Sequence, residues 1–176
     1  MKYMIINILN DLWPTIFICS MIMIVLRISY IIRNKIKFYV FKEIFMFCFI
    51  IYIMCLFYVV TFQDIDSKLI SGYNLIPFKE MFRYKIGSRL FFKNVIGNLI
   101  MFVPFGFFTS YIMRPAKLKY VFIITIIISF TIEITQTQIG RVFDIDDILL
   151  NILGGTLGFV IFNILYKIYK KIFADR

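Results

Sequence analysis

The sequence predicts an all-α integral membrane protein of about five transmembrane helices in one bundle, and two observations carry that prediction. Of 176 residues, 61% are hydrophobic and only 17% charged, with mean hydropathy +0.88, whereas a soluble domain carries about a quarter charged residues. The apolar residues also fall into runs close to the roughly 20 residues that take a helix across the hydrocarbon core, separated by short charged stretches. Lipid is therefore the solvent for most of the chain, and residues 1–176 read as a single membrane domain.

The first span is expected near Leu12 to Ile32. It follows only Lys2 and Asp11, and no small-residue cleavage site comes after it, so it reads as a transmembrane helix rather than a removed signal peptide. A second span near Ile44 to Phe62 completes a transmembrane hairpin over residues 1–62. The stretch from Gln63 to Lys93 is too charged to span and is expected to lie at the interface or to fold over the bundle. Three further spans follow near Asn94 to Met113, Tyr120 to Ile139 and Ile148 to Tyr166. No repeat or low-complexity tract interrupts them.

Basic loops are retained in the cytoplasm, so the placement of Lys and Arg sets the expected orientation. With the N-terminus outside, the cytoplasmic segments hold Arg33, Lys35, Lys37 and Lys42, then Arg114, Lys117 and Lys119, then Lys167, Lys170, Lys171 and Arg176. Glu43 and Asp175 are the only acids among them. The opposite segments are nearly balanced in charge, so N-out/C-in is favoured. The formal net charge of +10 thus reads as a topology signal and not as a nucleic-acid surface.

The chain has no histidine, which excludes a Ser-His-Asp triad, a Cys-His pair and any His-ligated zinc or haem site. Cys19, Cys48 and Cys55 lie in apolar stretches and read as lipid-phase or core fillers. Any chemistry must use carboxylates, amides, hydroxyls, Arg or Lys.

Charges inside a membrane are costly, so each one is weighed for function. Arg27 lies near the cytoplasmic end of the first span, where its stem can stay in lipid while the guanidinium reaches the headgroups. Glu133 is about 9 Å from the end of the fourth span at ~1.5 Å per residue, too deep for a carboxylate to snorkel. It must be protonated, paired or facing a watery cavity, and Gln136 at i+3 shares its face.

The loop and span that follow contain Arg141, Asp144, Asp146, Asp147, Asn151, Gly154, Gly155 and Gly158. At about 100° per residue, Asp147, Asn151 and the three glycines share one stripe, while Asp146 points nearly the other way. Asp144 and Asp146 suit an N-cap, and that reading is preferred for Asp146. The glycines let another helix approach closely. Asn94 and Asn98, one turn apart on the third span, can face the same neighbour, and Pro104 removes a backbone donor deeper in that helix. Together these residues predict one polar cluster in the outer half of the bilayer: Asn94, Asn98, Glu133, Gln136, Arg141, Asp144, Asp147 and Asn151.

The same positions carry a resemblance to the VanZ-like family, named for a teicoplanin-resistance protein. The matching pieces are Asn74-Leu75-Ile76-Pro77-Phe78; Asn94-Val95-Ile96-Gly97-Asn98 with Phe102-Val103-Pro104-Phe105-Gly106; Glu133 with Gln136; and Arg141 through Asp147 with Asn151, Gly154, Gly155 and Gly158. The resembling region runs from about residue 70 to 166. The resemblance implies a multi-pass protein of the bacterial cell membrane, associated in some members with lowered susceptibility to teicoplanin, a glycopeptide that acts on the outer face. It implies no settled reaction, and no phosphate-cradling Gly-rich loop is present for a ligase.

Three functions fit these residues. The favoured one is a non-catalytic envelope protein without a cofactor, whose outward polar cluster binds a lipid headgroup, a lipid-linked cell-wall precursor or a partner helix, with Arg141 meeting phosphate or sugar. An intramembrane enzyme on a lipid-linked substrate would use Glu133 as acid or base, with Asp144 and Asp147 holding Mg²⁺ or Ca²⁺ through oxygen. A small proton-coupled transporter would titrate Glu133.

Overall fold

Long apolar runs have no water to satisfy their backbone, so they close their hydrogen bonds within the segment as helices. The structure, a computed structural model, describes residues 2–62, 72–115 and 117–173. Residues 63–71 of the expected long loop, and the orientation charges Asp175 and Arg176, lie outside the described residues. The chain divides into two compact units, Met1–Val59 and Val60–Arg176. Five of its helices are long and apolar enough to cross a membrane.

The first unit is a hairpin. Helix α1 spans Lys2–Asn34 and runs through Pro14, well beyond the expected Leu12 to Ile32. It stops where Lys35 turns into the left-handed region, φ 50°. There Ile36 N–H reaches back to the Ile31 carbonyl and Lys35 N–H to that of Ile32, the two bonds of a Schellman end. Helix α2, Val40–Phe62, follows. Arg27 on α1 does not simply snorkel. It grips Glu43 of α2 with two bonds, Nε to Oε2 at 2.7 Å and Nη2 to Oε1 at 2.9 Å, and the pair offsets two charges that would each be costly alone. All three cysteines are free thiols.

In the second unit, a short strand β1 (Tyr73–Asn74) and a single-turn helix α3 (Lys79–Arg83) precede helix α4 (Arg89–Ile112). Ser88 starts α4 by accepting the Phe91 N–H at 3.1 Å. Between Phe92 and Ile96 the helix widens to a π turn, with Gly97 N–H bonded to the Phe92 carbonyl, and it continues through Pro104. Helix α5 (Leu118–Gln138) ends on Gly140, φ 83°. Arg141 N–H bonds back to Gln136 and Gly140 N–H to Thr137, the same Schellman closure as on α1 but with the glycine that this conformation favours. This turn aims strand β2 (Phe143–Asp144) at β1, which it joins in parallel with Asn74 opposite Asp144. Helix α6 (Ile145–Phe173) completes the unit.

Helices α4 and α6 lie side by side in the same direction, and the glycine stripe sets how close they come. A Cβ on Gly106 would collide with the Gly155 backbone, one on Gly158 with the Val103 carbonyl, and one on Gly154 with the Leu99 carbonyl. Small residues here let two backbones pack directly, the main source of helix association where lipid removes the hydrophobic drive. Buried hydroxyls satisfy themselves on their own helices: Ser110 donates to the Gly106 carbonyl at 2.6 Å and Thr125 to that of Val121 at 2.8 Å. At the C-terminal ends of α4 and α6, Phe162 meets Phe107 edge-on and stacks on Tyr166. The Arg114 guanidinium lies over the Tyr166 ring, 4.1 Å from its centroid.

Candidate functional site

The N-terminal ends of α4 and α6 and the C-terminal end of α5 meet at one end of the second unit. Asp144 is the residue just before α6, and its Oδ1 accepts the Asp146 N–H at 2.9 Å, which satisfies one of the donors that every helix start leaves unpaired. The Asp144 N–H in turn donates to Glu133 Oε2 of α5 at 2.9 Å. The Asn74 amide donates to the same Asp144 Oδ1 at 2.9 Å. A continuous hydrogen-bonded line therefore joins α5, β2, β1 and the first turn of α6.

Asp146 does not cap its own helix as expected. It does point away from the glycine stripe, and there its buried carboxylate accepts three backbone N–H groups of the 74–83 segment: Phe78 at 2.5 Å, Glu80 at 2.7 Å and Met81 at 3.2 Å. The capping position falls to Asp144 instead, because β2 places the Asp144 carboxylate over the helix end. Phe78 holds a left-handed backbone, φ 68°, an unusual conformation for a bulky residue. The carboxylate of Asp146 fixes it there. The described part of the long loop is thereby folded over the helix ends, one of the two arrangements that its composition allowed.

Asn98 donates to the Asp147 carboxylate. Asn94, expected to share a neighbour with Asn98, instead hydrogen-bonds Tyr84, since it lies within the π turn that shifts the register of α4. Asn151 donates to the Ser129 hydroxyl at 2.8 Å, fully buried between α6 and α5. Arg141 stands within electrostatic reach of Glu133 and Asp147.

Asn94, Asn98, Glu133, Gln136, Arg141, Asp144, Asp147 and Asn151 all line one cavity of about 320 Å³. The expected cluster is thus gathered in full. The lining adds Asn74, Glu80, Arg83, Tyr84, Lys93 and Asp146, which were not in it. Asn74 carried a signal, since it opens a motif of the family resemblance, but nothing in its local pattern tied it to Asp144, 70 positions away. Glu80 and Arg83 pair with each other at 3.1 Å.

Burial raises the Asp144 carboxyl above its ordinary range, against the opposing pull of the Asp146 N–H and the Asn74 amide. Burial likewise raises the Tyr84 phenol, with the Asn94 hydrogen bond acting the other way. Asp144 and Asp147 both belong to the lining, but among the described residues no group of three or more His, Cys, Asp or Glu side chains is arranged to hold a metal ion.

No curated protein matches the chain, and no solved structure does. A family model described as VanZ/LLP1 matches residues 44–166. The match takes in most of α2, earlier in the chain than the start near residue 70 that the motifs indicated, and it includes the β1–β2 bridge and every helix around the cavity. It covers more than half of the sequence, and with five helices suited to a membrane the chain belongs to the VanZ-like family of multi-pass membrane proteins.

Proposed function

We propose that this chain is a non-catalytic protein of the bacterial cell membrane whose cavity binds the polar head of a lipid or of a lipid-linked cell-wall precursor. The observation that carries this reading is the convergence of polar side chains from α4, α5, α6 and the 74–84 segment on one cavity of about 320 Å³. Each of these groups is expensive in lipid. Packing alone needs none of them, as the glycine and phenylalanine contacts deeper between α4 and α6 illustrate. The volume is at the low end of small-molecule sites, roughly 300 to 1,000 Å³, enough for a headgroup with its acyl chains left in the bilayer.

With the N-terminus outside, as the placement of Lys and Arg favours, the cavity lies at the outer surface, where a glycopeptide meets its target. Occupying a headgroup or precursor there is a route to lowered susceptibility to teicoplanin-type drugs. A binding role is favoured over catalysis because these carboxylates also hold the fold together: one Glu133 oxygen accepts a backbone amide, one Asp144 oxygen accepts from Asn74 and Asp146, and one Asp147 oxygen accepts from Asn98.

The test compares lipids retained by the purified protein with teicoplanin susceptibility of the cells. Asn98→Leu is expected to accumulate normally, to lose retained lipid and to lose any shift in susceptibility. A variant that keeps both would sink the reading. An activity abolished by chelator and restored by Mg²⁺ would favour the enzyme instead. A cysteine placed at Val142, exposed beside the cavity, is expected to label from outside the cell; labelling from the cytoplasm alone reverses the orientation.

A further inference from the structure

We infer that the end of the second unit remote from the cavity docks the phosphate of an anionic phospholipid, gripped by Arg114 and Lys170 beside Tyr166. The Arg114 guanidinium lies 4.1 Å from the Tyr166 ring centroid, 5.4 Å from that of Tyr111 and 5.5 Å from that of Phe162. The Lys170 ammonium stands 5.2 Å from the same Tyr166 centroid. Both cations also engage the Tyr166 hydroxyl. Aromatic faces and one neutral phenol thus hold two positive charges in place without neutralising either. A guanidinium carries five N–H donors and an ammonium three, so both groups keep donors for a further acceptor.

The charge around them selects that acceptor. All five acids described in the second unit, Glu80, Glu133, Asp144, Asp146 and Asp147, line the cavity at the other end. The ion pairs among the described residues are Arg27–Glu43 and Glu80–Arg83, so neither Arg114 nor Lys170 is matched by a described acid. Lys117, Lys119, Lys167 and Lys171 are exposed at the same end and add to the positive field. A guanidinium fork and an ammonium side by side match a phosphate. The helix that carries Lys170 makes it a lipid phosphate. Helix α6 has 29 residues, a length of about 43 Å against about 30 Å of hydrocarbon, so its last turns reach the headgroups. There Lys167, Lys170 and Lys171 fall within an arc of about 100°, while Ile168, Tyr169, Ile172 and Phe173, 49% to 59% exposed, occupy the rest. A soluble polyanion would leave that apolar face in water. A phospholipid covers it with its chains while its head meets the cations.

The full-length protein, purified in detergent, is titrated with phosphatidylglycerol and phosphatidylcholine of identical acyl chains, with binding read by native mass spectrometry. A cation near an anionic lipid is worth about fivefold, and phosphatidylglycerol is expected to bind about tenfold tighter. Arg114→Gln with Lys170→Gln is expected to narrow that ratio to about twofold or less, while Lys117→Gln with Lys119→Gln, the same loss of charge, keeps at least about half of it. Equal binding of the two lipids by the unaltered protein overturns the inference. So does a ratio unchanged in the first pair, or narrowed as far by the second. Asn98→Leu is expected to leave the ratio alone; its loss there would place the preference at the cavity and sink the proposal. Glycerophosphoglycerol, the same head without chains, is expected to displace no lipid at equal concentration, and displacement would make the occupant a soluble phosphate instead. Should the first pair fail to accumulate, Lys170→Gln alone, at an exposed position, reads the same contact with an expected loss of about threefold, and no loss rules the contact out.

Discussion

The molecule holds two spaces of nearly the same size, and they have opposite chemistry. The cleft of the N-terminal hairpin, about 330 Å³, is walled by Met23, Ile28, Ile31, Phe47 and Ile50, with the Arg27–Glu43 pair as its polar contact. The cavity of the second unit, about 320 Å³, is lined mostly by amides, carboxylates and basic groups. In the hairpin, charge is cancelled locally by a single ion pair. In the second unit, charge is arranged in a hydrogen-bonded line that runs from Glu133 through Asp144 to Asn74. An isolated pair explains itself as structure, whereas polar side chains gathered from several elements around one cavity suit a ligand.

The largest effect that would sharpen this contrast is on helix packing. Gly106→Val would drive a side chain into the Gly155 backbone and is expected to cost about 3 kcal/mol, seen as lost accumulation or a lower unfolding temperature in detergent. Ile22→Val on the exposed face of α1 is expected to stay within about 0.5 kcal/mol. Comparable losses at both sites would erase the distinction.

Asp146→Ala comes next, because it strips three backbone donors of a charged acceptor at once. A cost of about 2 to 3 kcal/mol is expected, together with faster hydrogen exchange confined to residues 72–88; Asp146→Asn should recover part of the protection. Unchanged exchange there would mean that the loop is held by something other than Asp146.

For the hairpin, a double-mutant cycle on Arg27→Ala and Glu43→Ala is expected to give a coupling of about 1 kcal/mol, with no change in lipid selectivity at the cavity. A change in selectivity would link the two spaces and break the comparison.

The smallest effect is on pH. Burial places the folded Asp144 carboxyl above its unfolded value, so its contribution is fully present below the ordinary carboxylate range and is lost as pH rises through the folded value. A fall in unfolding temperature between mildly acidic and neutral pH is expected, smaller in Asp144→Asn. A rise over the same interval would reverse the assigned sign.

How much of the site was legible depended on how far apart its partners are in sequence. Glu133 with Gln136, and Asp147 with Asn151 and the glycines, could be aligned because a helix fixes which residues share a face. Asn94 and Asn98 were aligned by the same rule and found different partners, since the π turn at Phe92–Ile96 leaves no mark in the hydrophobic pattern. Arg27 looked like a snorkelling anchor because its partner Glu43 depends on how two helices are set against each other. Asp146 was placed on the correct side of its helix, but its partners belong to a loop more than 60 positions earlier.

Sequence alone is enough to read the chain as a set of membrane helices, to find small residues on α4 and α6 where backbones meet, and to pick out the side chains too polar for lipid. These follow from composition and from the helical period, both local properties. Tertiary contacts were needed to show that the Asn74–Phe78 loop closes over the helix ends, that Asp144 and not Asp146 caps α6, and that Asn74 pairs with Asp144 across 70 positions. Those depend on which distant groups compete for the same few hydrogen bonds once water is excluded, a competition that no single stretch of sequence contains.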